Sequence, residues 1–303
     1  MNIMKQQGTT LVQRACAKVN GFKALHKRLE KKIVVSGKSM STLYNYMRCI
    51  AHVSLKYNCL PTKLDIEQIE DYLLHLKKKG ASEADFKLTV YGLRFLFRCE
   101  GLDDRAIKLP SIKRDKKLPV VLSANEVKTL LKAPDLLKHR ILIGVLYGCG
   151  LRCQEVRSLQ LRDIDFDRNM IHVRQGKGKK DRYVPIGDHL ARGLKKYIDS
   201  EKPVKWLFNG KSHHEPFSQK GTQWVVRESV KKTTINKPVT VHTLRHTYAT
   251  HLLELGMDIV SIKELLGHAH IDTTMVYLHV AKAGRQKPFS PLDKLYEQGP
   301  PKA

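Results

Sequence analysis

The sequence predicts a mostly α-helical chain in two domains, the second of α+β type with one small antiparallel β-sheet. Three observations carry that prediction. Apolar residues recur at three-four spacing over most of the length. One stretch, between Asp163 and Ile186, alternates apolar and polar residues instead. A charged run bracketed by prolines, between Leu109 and Leu122, interrupts both patterns. The chain has 303 residues, 42% of them hydrophobic, enough for about two domains with buried cores and too apolar for a disordered chain.

Residues 10 to 106 read as a helical bundle. Ser41 to Leu55 sets Leu43, Tyr46, Met47, Ile50 and Val53 on one face. Ile66 to Leu76 does the same with Ile66, Ile69, Leu73, Leu74 and Leu76, and Ala84 to Arg98 with Leu88, Tyr91, Phe95 and Leu96. After the proline-bracketed run, Ser123 followed by Glu126 is a capping box and starts a helix. Asp163 to Arg174 and Asp181 to Ile186 read as two strands around a glycine-lysine turn at 176–180. The helix carrying His242 has Leu244, Leu252 and Leu253 on its apolar side and Gly256 at its end. Ile259 to Leu266 is a further amphipathic helix, and Asp272 caps a last one that carries Tyr277. The spacing from Ser290 to Glu297 allows one short helix in the tail.

Charge narrows the choice of partner. Lys and Arg total 55 against 29 Asp and Glu, a formal net charge of +26. So one-sided an excess suits a polyanion, because Lys and Arg contacts to phosphate release condensed counterions. The basic pairs are scattered along the chain, as on a surface that wraps a duplex. Lys38, Arg48, Lys87, Arg94 and Arg98 sit among the first-domain helices as candidate phosphate contacts, where the competing reading is an ordinary solvated helix face. Lys179, Lys180 and Arg182, in and beside the glycine-lysine turn, are further candidates. The six cysteines lie mostly inside apolar helical patterns and outline no disulfide framework, which points to a reducing compartment. No signal peptide is visible at the N-terminus, and Ile141 to Leu151 is too short and glycine-broken to span a bilayer. A cytoplasmic protein with no membrane partner is expected.

The residues that bear chemistry cluster toward the C-terminus. Arg152 follows Gly148-Cys149-Gly150-Leu151 at a helix start, where a guanidinium fork and backbone amides suit a phosphate. Glu155, one turn on, is placed to orient it. Lys177 sits in the basic turn, with Lys179 and Lys180 as equal rivals on charge alone. His242 and Arg245 are three apart and share a helix face. His246 and His251 read as structural. His242 and His246 at i,i+4 lack the glutamate of a His-Glu-x-x-His zinc site, so no metal is expected. His268 follows Gly267 at a helix end. Tyr277 has a phenol whose ordinary pKa of about 10 demands help before it attacks anything at neutral pH.

In order and spacing these residues resemble the tyrosine recombinase (phage integrase) family, most of all its compact Xer-type and transposon integrase members. The family pattern is Arg, Lys, His-x-x-Arg, His or Trp, Tyr, and Arg152, Lys177, His242, Arg245, His268 and Tyr277 fill it. The phrases Gly-Leu-Arg-x-x-Glu, His-x-Leu-Arg-His, Leu-Gly-His and Thr-Thr-x-x-Tyr match as well. The resemblance implies a helical, SAM-like core-binding domain over residues 1–108, a linker over 109–122, a catalytic domain over 123–287 and a tail over 288–303 that docks on a neighbour. The two domains would form a clamp around DNA. Tyr277 would attack a scissile phosphate to give a 3′-phosphotyrosine, with Arg152 and Arg245 on the nonbridging oxygens and His268 adding a hydrogen bond. Lys177 would protonate the leaving 5′-oxygen, and His242 would assist proton transfer at the tyrosine. The partners implied are double-stranded DNA with inverted-repeat core sites and a homotetramer on two duplexes that exchanges strands through a Holliday junction, with accessory proteins unspecified. The chain is too short for the arm-binding domain of the larger integrases, so only core-site binding is expected.

Two other readings share part of the pattern. A type IB topoisomerase would relax supercoils as a monomer without a second site, and a catalytically silent DNA-binding regulator would form no covalent adduct. The resemblance implies no cofactor: the phosphotyrosine conserves the energy of the phosphodiester, so neither ATP nor metal is needed, and the motif set holds no carboxylate cluster suited to Mg²⁺. EDTA is therefore expected to leave DNA cleavage intact. Loss of cleavage in chelator, restored by magnesium, would contradict the phosphotyrosine route.

Overall fold

The structure is a computed structural model that describes residues 10–110, 118–174 and 181–281. The chain divides into two compact units, residues 1–115 and 116–303. Among the described residues the first unit is wholly helical: α1 Leu11–Lys18, α2 Phe22–Val35, α3 Met40–Tyr57, α4 Ile66–Lys78, α5 Glu83–Cys99 and α6 Asp103–Lys108. Side chains of Thr10, Ser39, Asp65 and Ser82 accept the amide three residues on and so start α1, α3, α4 and α5. The core is built from one face of each long helix, with Leu25 and Leu29 of α2, Met47 and Ile50 of α3, and Val90 and Leu93 of α5 all fully enclosed.

The buried face of α5 differs from the expected stripe. Phe86, Val90, Leu93, Leu96 and Phe97 line it, whereas Leu88 and Phe95 are half-buried and Tyr91 is 37% exposed. Both stripes are apolar, so periodicity does not choose between them. Gly92 chooses: α3 passes so close that a Cβ there would lie 3.4 Å from the Tyr46 backbone. The helix turns its glycine toward α3 and Tyr91 outward.

The second unit contains α7 Ala124–Lys132, α8 Leu137–Gly148, α9 Cys153–Arg157, α10 Asp188–Glu201, α11 Gln219–Lys231, α12 Val241–Glu254, α13 Ile259–Leu266 and α14 Asp272–Met275. The Ser123 capping box forms, its amide donating to Glu126 Oε2 at 2.6 Å and its hydroxyl accepting from the Glu126 amide at 3.2 Å. The sheet has three strands, β1 Ile164–Asp165, β2 Met170–Val173 and β3 Arg182–Pro185, antiparallel in that order with Ile171 opposite Val184. The single strand expected from Asp163 to Arg174 is thus a hairpin. Asp165 Oδ1 accepts the amides of Asp167 and Arg168, and Asn169 takes a left-handed φ of 51°, which turns the chain where alternation alone reads straight through.

Helix α8 runs through the core of this unit, with Ile143, Val145 and Leu146 enclosed among Leu151, Val156, Val184, Leu194 and Leu244. A smaller cluster joins Tyr248 and Ala249 of α12 to Ile262 and Leu266 of α13 and to Tyr277. No helix among the described residues is long and apolar enough to cross a membrane.

Gly150, between α8 and α9, adopts φ 59°, and a Cβ there would lie 2.3 Å from Tyr248 Cδ1. Strain and overpacking therefore add at one position. Gly150→Ala is expected to destabilise the second unit by roughly 2 to 4 kcal/mol, read as a lowered midpoint in urea unfolding. An unchanged midpoint would show that Tyr248 yields without loss.

Candidate active site

Arg152 is the N-cap residue of α9. Its amide donates to Glu155 Oε2 at 2.8 Å and its Nη1 to Glu155 Oε1 at 2.7 Å, so one carboxylate caps the helix and fixes the guanidinium. Arg152 Nη2 donates to the Gly267 carbonyl at 3.1 Å. Arg245 comes from the inner face of α12, a helix started by Thr240, and is only 3% exposed. Its Nη1 donates to the Gly150 carbonyl at 2.7 Å and its Nη2 to the Leu266 carbonyl at 2.5 Å, with Glu155 Oε2 3.8 Å from Nη1.

A third arginine completes the cluster. Arg182 of β3 forks onto Glu155, Nη1 to Oε1 at 3.0 Å and Nη2 to Oε2 at 2.8 Å, and its Nε donates to the Leu265 carbonyl at 2.7 Å. The carbonyls of Leu265, Leu266 and Gly267 therefore each accept from a different arginine. They are free to do so because the last carbonyls of a helix have no partner within it. Gly267, in the left-handed region at φ 62°, ends α13 and turns the chain to His268.

Electrostatics follow from this crowding. Burial alone would raise the Glu155 carboxyl, but the Arg182 fork and charge, with the Arg152 amide and charge, hold it at about 2. Burial, then the like charge of Arg152, push Arg245 down to about 10, still protonated at neutral pH. Burial first lowers the three nearby imidazoles, His268 to about 3, His246 to about 4 and His242 below its ordinary value, with the arginines next for His268 and His242, and His242 then Arg245 next for His246. At neutral pH all three are uncharged. Burial raises the Tyr277 phenol, while Arg245 and Arg152 pull it the other way.

His268 Nδ1 lies 2.8 Å from the hydroxyl of buried Thr274. Tyr277, on the turn after α14, is 1% exposed, and its hydroxyl lies 3.0 Å from His246 Nδ1. The tyrosine thus meets His246, one helical turn beyond His242, which is exposed near the start of α12. Sequence reasoning took His246 as structural. Its spacing from Arg245 held no sign of this contact, because only the packing of the Tyr277 turn against α12 creates it.

The structure brings Arg152, Glu155, Arg245 and the Gly267-His268 turn into direct contact, with Tyr277 attached through His246. Lys177, Lys179 and Lys180 lie outside the described residues. Arg182, expected to face DNA, is turned inward with its side chain 10% exposed. The signal was present: period two puts Arg182 on the same sheet face as buried Val184. In the first unit, Arg48 pairs with Asp85 at 2.7 Å and Lys87 with Glu83. Lys38 lies over the Phe95 ring, 5.8 Å from its centroid. Arg94 donates to the carbonyls of Ala106, Leu109 and Pro110 and so closes the end of α6, and Arg98 is exposed.

Both units of the chain match known protein families. The profile of the phage integrase family matches residues 120–283, and that of the phage integrase N-terminal SAM-like domain matches residues 25–105. Tyrosine recombinase XerA of Thermococcus kodakarensis is 40% identical over 214 residues, 69% of this chain and 75% of that protein. Tyrosine recombinase XerD of Staphylococcus saprophyticus is 34% identical over 257 residues, 79% of this chain and 84% of that one. The crystal structure of a lambda integrase dimer bound to a COC′ core site superposes with a TM-score of 0.68 over 94% of this chain and 84% of that chain. At 19% identity that likeness speaks for the fold alone.

The Glu155 carboxyl is held below its ordinary value of 4.5, so its contribution to stability is complete above that pH and is lost as pH falls toward about 2. In acid titrations of unfolding free energy, Glu155→Gln is expected to flatten the fall between pH 4.5 and about 2 relative to the parent. Parallel curves would mean that the arginines hold this carboxylate less firmly than the geometry indicates.

Proposed function

The chain belongs to the phage integrase family, and on that premise we propose how its residues carry out strand exchange. It is a site-specific tyrosine recombinase, an enzyme that acts on DNA. One observation carries the residue assignment. Arg152 and Arg245 each spend two of five guanidinium N–H groups on the protein, so both are fixed in place with donors to spare for a phosphate.

The scissile phosphodiester sits on that pair, its nonbridging oxygens taking the spare donors. Donors fixed before reaction stabilise the charge that develops on a pentacoordinate phosphorus without reorganising. His268, neutral, adds a hydrogen bond. A Thr274 hydroxyl that donates to Nδ1 leaves the ring proton on Nε2, where it serves as that donor. The Tyr277 oxygen attacks phosphorus, the bond to the 5′-oxygen breaks, and the 3′-phosphate stays on the tyrosine. Lys177 gives its proton to the departing 5′-oxygen. The phenol is enclosed and bonded to His246 in this conformation, so the Val276–His279 turn must shift to present it. His242, at the mouth of the site, takes part in removing its proton. Religation runs the same steps in reverse with a 5′-hydroxyl from the partner strand. The residue assignment rests on chemistry that holds one strand at a time. Exchange therefore takes a tetramer on two duplexes with inverted-repeat core sites and passes through a Holliday junction.

Tyr277→Phe is expected to abolish covalent trapping on a nicked suicide substrate while leaving core-site binding intact. Arg152→Ala and Arg245→Ala are each expected to slow cleavage by about 10²-fold or more, as loss of one preorganised donor does elsewhere. A covalent adduct formed by Tyr277→Phe would remove Tyr277 as the nucleophile, and near-normal cleavage by either arginine variant would remove that arginine from the phosphate.

A further inference from the structure

The roles above leave Arg182 unused, yet its side chain makes more hydrogen bonds within the cluster than that of either phosphate-holding arginine. Both of its terminal nitrogens are on Glu155, at 3.0 and 2.8 Å, and its Nε is on the Leu265 carbonyl at 2.7 Å. With three of its five side-chain donors committed inside the cluster, it has fewer left for DNA than Arg152 or Arg245. We propose that Arg182 is a positioning residue, clamping Glu155 to the end of α13 so that Arg152, Arg245 and His268 converge on one phosphate.

Three features of the geometry support this. First, Glu155 is the common support of the site, and Arg182 is what saturates it. Glu155 Oε2 accepts from Arg182 and from the Arg152 amide, both at 2.8 Å, while Arg245 stands off at 3.8 Å. Without the fork, a buried carboxylate would draw Arg245 inward to make up the lost contact, away from the phosphate. Second, Arg182 holds the carbonyl next to the two gripped by Arg245 and Arg152, so the turn that presents His268 is fixed at three successive points. Third, Gly267 packs flat on the Arg182 side chain, where a Cβ would lie 3.2 Å from both Cδ and Nη1. That close approach gives the glycine a second reason to be there besides its φ of 62°. An ammonium cannot reproduce the planar fork, so the position calls for arginine and not for positive charge as such.

The proposal rests on the assignment of Tyr277 and the arginine pair made above. Arg182→Gln and Arg182→Lys in the full chain would be measured on a nicked suicide core-site substrate, in single turnover at saturating protein, beside the Kd for the same DNA. The expected result for Arg182→Gln is a saturating rate lowered about 10²-fold with Kd changed less than about threefold, and little recovery with lysine. Replacing one nonbridging oxygen of the scissile phosphate by methyl removes the charge to be held and should narrow the gap to the parent. A bridging 5′-sulfur, which leaves without a proton, should not. A weakened Kd with a normal saturating rate would overturn the proposal in favour of a DNA contact. Rescue by sulfur would show that Arg182 acts through the general acid instead. Full recovery with lysine would reduce its role to charge. Loss of the thermal unfolding transition in both variants would make it a purely structural residue. Tyr277→Phe run in parallel separates the two levels: an adduct from that variant sinks the site assignment itself, whereas normal cleavage by Arg182→Gln sinks only the role of Arg182.

Discussion

A buried carboxylate surrounded by guanidinium groups governs this active site. Moving one charge out of water costs several kcal/mol, and three like charges brought together repel one another. Glu155 and the arginines around it relieve one another's cost, and Arg182 and Arg152 hold the carboxyl at about 2 in spite of its burial. The sum still leaves the cluster positive. A site that must attract a phosphate and then stabilise added charge on it needs that residue of positive potential, held rigidly. Flexible lysines on a surface would supply the charge without the geometry.

The fold serves this cluster from four directions. The turn at Gly150 offers a carbonyl to Arg245, and α9 begins on Arg152 with Glu155 as its cap. Strand β3 brings Arg182, and α13 ends where its free carbonyls meet all three guanidinium groups. A helix C-terminus is the electronegative end of the helix dipole, so it is a natural seat for cations. Here it turns three side chains that repel one another into a fixed array and places His268 at the next residue. Burial first, with the neighbouring charges behind it, keeps His268, His246 and His242 neutral. They therefore act as hydrogen-bond donors and proton acceptors and add no further charge to an already crowded cation cluster.

Much of this was legible in the sequence, and what was not has physical reasons. The helix start at Ser123 was readable because its cap is local chemistry, whereas Asp272 is the first residue of α14 and not its cap, and that helix ends at Met275 so that Tyr277 lies on the 3₁₀ turn beyond it. The Arg152–Glu155 pairing followed from helical spacing. The β1–β2 turn was missed because Asn169 supplies its left-handed residue without a glycine to announce it. The buried face of α5 was misjudged because two apolar stripes compete, and only the approach of α3 to Gly92 decides between them. Arg182 was read as a surface charge because arginines usually are. Its inward face was implied by Val184 two residues on, but the carboxylate that makes burial tolerable comes from 27 residues away. The contact of Tyr277 with His246 spans 31 residues and depends wholly on tertiary packing.

The state of Tyr277 bears on how the attack proceeds. Burial raises its pKa, and among the described residues the charges of Arg245 and Arg152 pull it down. Those are the charges a bound phosphate would partly cancel. Under the proposed assignment, phosphate binding would weaken that pull, so the arrangement does not favour a free phenolate waiting for DNA. On that assignment the proton would leave as the bond to phosphorus forms, when negative charge moves from the tyrosine oxygen onto the phosphate held by the arginines. Such a transfer needs a neutral base within reach of the phenol, and burial, with the neighbouring charges behind it, leaves the nearby imidazoles unprotonated. Under the proposed assignment the cluster around Glu155 would hold the electrophile directly, and its charge would add to the burial that keeps the imidazoles beside the nucleophile neutral.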